Sequence, residues 1–258
     1  KKTSKAAAFF CVVLLCLPTL GFDRTDQKAS LDTGDYVILL HGLARSYRSM
    51  QKIETSLIKH GFRTVNLNYA STEHPIEYLA NTALRYAIAR CPTDSDIKIH
   101  FVTHSLGGII VRYYLNQYKL SSLGRVVIIS PPNNGSVLVD NFKDTYFFKK
   151  RHGPAGQQLG TSRKSVPLNL GPVDFELGVI TGNRSFSPIS SMIIPGPDDG
   201  AVSVESAKVK GMVDFIVMPN SHTFIMKSKN VIMQIIHFLE HGEFNHPKPN
   251  KKDREDAL

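Results

Sequence analysis

Apolar and polar positions along the 258-residue chain fall into blocks of two alternating periods. "YVILLHGLA", residues 36–44, is a continuous apolar run ending in His-Gly, as a buried parallel strand and its exit loop would read. Met50, Ile53, Leu57 and Ile58 recur at helical spacing within 46–60, and Gly61 stops the pattern. "RTVNLNY", 63–69, alternates like a strand. Pro75 then opens an amphipathic helix with Ile76, Leu79, Ala83, Tyr86 and Ala87 on its apolar face. "IKIHFVT", 97–103, and "RVVIIS", 125–130, read as strands flanking a helix from about Ser105 to Tyr118. Beyond 136 the pattern loosens. A short helix is expected over 137–150, and a Gly-, Pro-, Ser- and Gln-rich loop over 151–172. Two further strands are expected at 175–181 and 213–218, with a closing helix at 223–241.

Strands and helices that alternate at these spacings make βαβ units. The fold class is therefore α/β, a mostly parallel central sheet with helices on both faces. At 42% hydrophobic residues the chain can bury one sizeable core, placed here at 35–242. It is followed by a polar, flexible tail from 243 and preceded by a polar linker at 22–34.

The first residues change the picture of where the domain works. Lys1, Lys2 and Lys5 precede an unbroken apolar run from Ala6 to Leu17, which Pro18 ends. The run has the length of a signal-peptide core and is short for a membrane span. Thr19 and Gly21 supply the small residues for cleavage after Gly21, so 1–21 reads as an export signal, or as an anchor if uncleaved. Leu15 before Cys16 argues against a lipoprotein. The chain opens on Lys rather than Met, so its start is expected just upstream. Removal of this segment would leave Cys91 as the one cysteine, with no internal disulfide. An exported location, periplasmic or secreted, is the expectation. The net charge of +9 is spread along the chain without a basic, aromatic-interleaved helix, so no nucleic-acid partner is expected.

Ligands of open parallel sheets bind beyond the carboxyl ends of the strands. Three features fall there. In "FVTHSLGGII", 101–110, Ser105 stands where strand passes directly into helix. A nucleophile on so sharp a turn needs small neighbours, and Gly107 and Gly108 provide them, with His104 between strand and serine. The plainer alternative is a serine N-cap. The second feature is "HGLA", 41–44. Gly42 lets this loop turn inward, so the Leu43 and Leu106 N–H groups could form an oxyanion hole, with His41 orienting the loop. The third is the pair "GPDDGAVSVESA", 196–207, and "MPNSHTFIM", 218–226. These give the chain order Ser105, Asp199, His222: nucleophile, acid, base. Separately, "DDG" could be a turn and His222 a helix-start histidine; in this order and at these strand ends they read together as a triad.

With these residues the sequence resembles the α/β-hydrolase superfamily, in its small bacterial-type lipase and esterase branch. The resemblance rests on His-Gly-Leu at 41–43, Thr-His-Ser-Leu-Gly-Gly at 103–108, Pro-Pro-Asn-Asn-Gly-Ser at 131–136, Asp-Asp-Gly-Ala-Val at 198–202 and Ser-His-Thr-Phe at 221–224. It implies a serine hydrolase of carboxylic esters acting through an acyl-enzyme. Asp199, directly before Gly, is implied as the acid, with Asp198 as second choice, and the 131–136 turn as a site wall. Thr103 stands where the family pattern has Gly, a position at which some relatives carry Ala or Thr. Thioesterase, phospholipase and acyltransferase activity fit the same triad, and a catalytically inactive binding protein or chaperone is the rival of another class. A dinucleotide-binding reading fails because "HGLARS" rather than G-x-G-x-x-G follows the first strand.

No cofactor is called for. No His/Cys/Asp spacing fits a zinc site, and a structural calcium is left open. The expected partner is a small-molecule or lipid ester, with peripheral membrane contact an option and no obligate protein partner. Residues 137–195 are the only stretch long enough for a cap, and a small one. Phe142, Tyr146, Phe147 and Phe148 within it are candidates for an acyl pocket, a lipid contact or ordinary packing.

Overall fold

The computed structural model describes residues 34–92 and 96–247. The expected export segment, all but the last residue of the linker, and residues 248–258 of the tail lie outside them.

Six strands form one all-parallel sheet in the order β2-β1-β3-β4-β5-β6. They are β1 Tyr36–Leu40, β2 Arg63–Leu67, β3 Ile99–His104, β4 Leu123–Ile129, β5 Leu177–Gly182 and β6 Asp214–Met218. The helices that cover the sheet are α1 Gln51–Lys59, α2 Ile76–Leu79, α3 Arg85–Ala89, α4 Leu106–Gln117 and α10 Lys229–His241. Smaller helices decorate one end: α5 Val137–Phe142, α6 Tyr146–Gln157, α7 Val166–Asn169, α8 Pro188–Ile193 and α9 Val204–Ala207.

Alternation along each strand sends successive side chains to opposite faces. Ile38, Leu40, Phe101, Val126, Ile128 and Val179 pack on one side with Leu79, Leu84, Ile109 and Ile110 from the α2–α4 layer. Val37, Leu39, Val102, Val127, Ile129 and Ile180 pack on the other with Ile53, Leu57, Ile235 and Phe238 from α1 and α10. The continuous apolar runs of the central strands therefore serve two cores at once.

The chain departs from the sequence expectations in five places. Ile58 lies off the buried face of α1, 55% exposed. Between α2 and α3 a π-helical turn, Ala80–Leu84, joins them into one rod, whose buried stripe is Ile76, Leu79, Ala80, Leu84 and Ala87, leaving Tyr86 exposed. The loop expected over 151–172 contains the end of α6, broken at Gly153 (φ 60°), and α7. The expected helix at 223–241 begins only at Lys229, so the segment holding His222 is loop. The segment from 243, expected as a flexible tail, is packed at its start: Phe244 is buried against Phe238, its N–H donates to the Asp214 carboxylate, and His246 reaches the same carboxylate.

Two glycines fix how closely α4 lies on the sheet. A Cβ at Gly107 would sit 2.8 Å from both the Cβ and the carbonyl oxygen of Leu40. One at Gly108 would sit 2.2 Å from Ile128 Cγ2 and 3.3 Å from Thr103 Oγ1. Gly108 thus makes the space that the buried Thr103 side chain fills. In a free helix Gly→Ala gains about 1 kcal/mol; at 108 the clash with a stiff β-branched side chain reverses the sign. Gly108→Ala is expected to lower stability by about 1–3 kcal/mol in urea melts. A rise in stability would contradict this packing.

Candidate active site

The strand order reverses beside β1, with β2 on one side and β3 on the other. The crevice at the carboxyl ends of β1 and β3 is therefore the topological switch point, where such sheets bind ligands. The backbone is tightest here. Among the described residues, Ala44 (φ 53°), Ser105 (φ 52°) and Ser130 (φ 49°) are the non-glycine residues with positive φ, and they follow β1, β3 and β4. Strain of this kind costs on the order of 1–3 kcal/mol per residue and persists only where the surroundings enforce it.

Ser105 occupies the N-cap position of α4, yet its side chain makes no capping bond. Its N–H donates to the Ile129 carbonyl at 2.8 Å, and its hydroxyl lies 3.1 Å from His222 Nε2. The other ring nitrogen, Nδ1, is 2.8 Å from Asp199 Oδ2. Asp199 Oδ1 accepts the N–H groups of Ala201 (3.0 Å) and Val202 (2.8 Å), and the Asp199 carbonyl accepts the His222 N–H at 2.8 Å. Both termini of the acid–histidine pair are thus held by backbone. Gly182, at the end of β5, leaves the room: a Cβ there would come within 2.9 Å of Asp199 Cβ and 2.2 Å of the Asn220 carbonyl oxygen.

Burial by itself would push the Asp199 carboxyl up. The facing His222 and the Val202 N–H outweigh it and hold the group below the ordinary carboxylate value, so it stays ionised. Asp198 turns the other way. Its Oδ1 accepts the Gly200 N–H at 2.7 Å, closing the turn, and it does not reach His222.

The 41–44 loop lies directly against the nucleophile turn. A Cβ on Gly42 would sit 2.6 Å from His104 Nδ1 and 3.3 Å from Ser105 Cβ. His41 is fully buried, stacked on Tyr69 at 4.1 Å between ring centres, and its carbonyl accepts the Tyr69 hydroxyl. Its Nδ1 lies 2.9 Å from the Gly42 carbonyl oxygen, which places the ring against the loop. The Ala44 N–H donates to Ser71 Oγ at 3.1 Å, which holds the strained residue in place. Among the described residues, the N–H groups of Leu43 and Leu106 have no acceptor, as donors aimed at a substrate oxygen require.

His104 is buried behind His222, its Nε2 3.1 Å from the His222 carbonyl oxygen and the two rings 4.7 Å apart. Burial, then the neighbouring His222 and Arg45, drive its pKa well down, so it is neutral and supports the His222 loop.

A cleft of about 510 Å³ opens onto Ser105 and His222. Leu138, Val139, Phe142, Phe147, Phe148 and Leu159 line its wall, and Leu43, Pro132 and Ser136 its floor. The aromatics of α5 and α6 thus face the cleft, apart from Tyr146, which does not border it. The 131–136 turn is a wall only in part. Pro132 and Ser136 border the cleft, whereas buried Asn133 receives the Arg112 guanidinium at 2.9 Å. Sequence reasoning missed Ser71, Ser130 and Arg45. Ser130 had a usable signal, since it ends "RVVIIS" just beyond the strand, as Ser105 follows its own. Cys91 is buried with its thiol pushed up to about 11 by burial, away from the cleft. Among the described residues no group of His, Cys, Asp and Glu could hold a metal ion, and no helix is long and apolar enough to cross a membrane.

This arrangement, a parallel sheet with a nucleophile-type turn after one strand and an acid and histidine after later ones, is the α/β-hydrolase fold. The family described as "Putative serine esterase (DUF676)" matches residues 32–133, the segment carrying the 41–44 loop and the Ser105 turn. No curated protein matches the chain in sequence. Among solved structures, the mature lipase BlEst2 of Bacillus licheniformis is 17% identical with a TM-score of 0.60, over 81% of this chain and 91% of its own. The metagenomic carboxyl esterase MGS0156 is 18% identical with a TM-score of 0.58, over 75% of this chain and 66% of its own. The phospholipase PlaB from Legionella pneumophila is 19% identical with a TM-score of 0.60; the match takes in 87% of this chain and 62% of PlaB, less than two thirds of its length. At these identities the likeness is one of fold. Together with the family match it supports assignment to the α/β-hydrolase superfamily and, more generally, a serine hydrolase.

The buried histidines have a consequence for stability. His41, His100 and His104 all have pKa values lowered, chiefly by burial. The unfolded chain therefore binds protons more readily than the folded one, so stability is full above the unfolded histidine value and falls as pH drops below it. The urea midpoint is expected to hold above about pH 7 and to fall between about pH 6.5 and 5. A midpoint flat across that window would contradict neutral burial of these rings.

Proposed function

We propose that the protein is a serine hydrolase of carboxylic esters that works through an acyl-enzyme. The observation that carries this reading is the hydrogen-bonded line Ser105–His222–Asp199, set on a strained turn at the mouth of an apolar cleft. In it, His222 Nε2 takes the Ser105 proton as Oγ attacks the ester carbonyl carbon. Asp199 accepts from Nδ1–H and stabilises the imidazolium that forms. The Leu43 and Leu106 N–H groups receive the oxyanion, a contribution worth a few kcal/mol in comparable sites. His222 then returns the proton to the leaving alcohol. A water molecule, activated by the same nitrogen, attacks the acyl-enzyme, and the acid departs with Ser105 regenerated.

The apolar wall suits an aliphatic acyl chain, and the esterase and lipase activities named for the structural relatives accord with this. Export through residues 1–21 and contact with a lipid surface through the exposed Phe147 and Tyr146 remain part of the proposal.

The reading is tested with a fluorophosphonate probe, whose phosphorus forms a bond to an activated serine oxygen as fluoride leaves. Wild type is expected to label at Ser105 and Ser105→Ala to fail. Asp199→Asn should label slower by about 10³-fold or more, because the histidine loses its tautomer. Asp198→Asn should stay within a few-fold. Equal labelling of wild type and Ser105→Ala would overturn the assignment.

A further inference from the structure

The cleft has a charge pattern that ester hydrolysis does not need. Arg45 and Arg151 border it, and among the described residues no aspartate or glutamate does. Both side chains are exposed, and neither forms an ion pair with a carboxylate among the described residues. Arg45 is held in place rather than dangling. Its N–H donates to the Gly42 carbonyl at 3.3 Å, and the preceding residue, Ala44, is pinned through Ser71. Its Nη2 donates to Thr223 Oγ1 at 3.3 Å. Thr223 directly follows His222, so this guanidinium is tied to the residue next to the histidine that would hand its proton to the leaving group. Its field is felt in the site, since it helps hold His104 neutral. The acyl chain has the aliphatic and aromatic side chains of α5 and α6, the second of which also sends Arg151 to the cleft.

We infer that the substrate is an acyl ester whose alcohol half carries an anionic oxygen group, held by Arg45 with help from Arg151. A phosphate fits best, because its charge and its oxygens match two planar guanidinium forks. The inference rests on the ester-hydrolase reading and adds the chemistry of the leaving group to it. Both cations are exposed, so the effect is expected to be largest at low ionic strength.

The test compares two soluble esters, kept below their micelle concentrations, that differ only in the phosphate: the hexanoyl ester of glycerol phosphate and hexanoyl glycerol. Wild type is expected to favour the phosphate ester in kcat/KM by about tenfold or more, the scale of one charge-assisted contact. This preference should shrink with added salt. In the double variant Arg45→Gln with Arg151→Gln the ratio of the two kcat/KM values should fall towards unity, whatever the absolute rates. A wild-type ratio of one or less, or a ratio unchanged in the double variant, overturns the proposal. Hydrolysis of neither ester also overturns it, and fluorophosphonate labelling then separates the two failures. Labelling at Ser105 leaves the hydrolase reading standing while the phosphate proposal falls; absence of labelling removes both.

Discussion

The reversal of the chain at the end of β3 is the constraint from which the site follows. Within one residue the backbone must leave an extended, fully buried strand and enter α4. Ser105 meets this by adopting φ 52°, ψ −118°, a conformation that a β-carbon resists. It can be held there because the surroundings leave no slack. Gly107 and Gly108 let α4 close onto Leu40 and Ile128, Gly42 lets the preceding loop close onto His104, and the Ser105 N–H is tied to β4. The outcome is a hydroxyl at a helix start with no capping role, pointed at a histidine.

The rest of the site is an arrangement of strand ends around that hydroxyl. Because all six strands are parallel, the loops after β1, β3 and β4, and the segments after β5 and β6, emerge on one edge. The histidine and the acid come from the last two of these, and they fasten each other through side chain and backbone before either reaches Ser105. Burial would favour a neutral Asp199; the facing imidazole and the Ala201 and Val202 N–H groups keep it charged. His104 completes the support as a neutral ring under the same loop. Preorganisation of this sort places the dipoles and charges before substrate arrives, which is where catalytic electrostatics gain most.

The sheet was legible in the sequence because its strands are buried on both faces and write themselves as unbroken apolar runs. Ser105, Asp199 and His222 stood out as candidates because Ser105 directly follows a strand beside small residues, and Asp199 and His222 come after later strands in the chain order nucleophile, acid, histidine. What failed to show has physical reasons. Ile58 and Tyr86 fit helical spacing loosely, and a heptad-scale pattern does not resolve which edge of an apolar stripe is covered. The late start of α10 was hidden because Phe224, Ile225 and Met226 continue its apolar pattern through a short 3-10 turn, Ile225–Lys227, that precedes it. Phe244 staples a segment that looks like a polar tail, a contact with Phe238 that no local pattern records. Ser71 and Ser130 act through contacts set by tertiary structure, and Thr103, which departs from the motif, fits because a glycine five residues later yields the volume.

The central claim is that Ser105 becomes covalently acylated during turnover. It is tested most directly by mixing the protein with p-nitrophenyl acetate, quenching in acid during steady turnover, and mapping the modified peptide by mass spectrometry. An acetyl group on Ser105 is expected. Turnover with no acylated peptide, or with the acetyl group on a different residue, would contradict it.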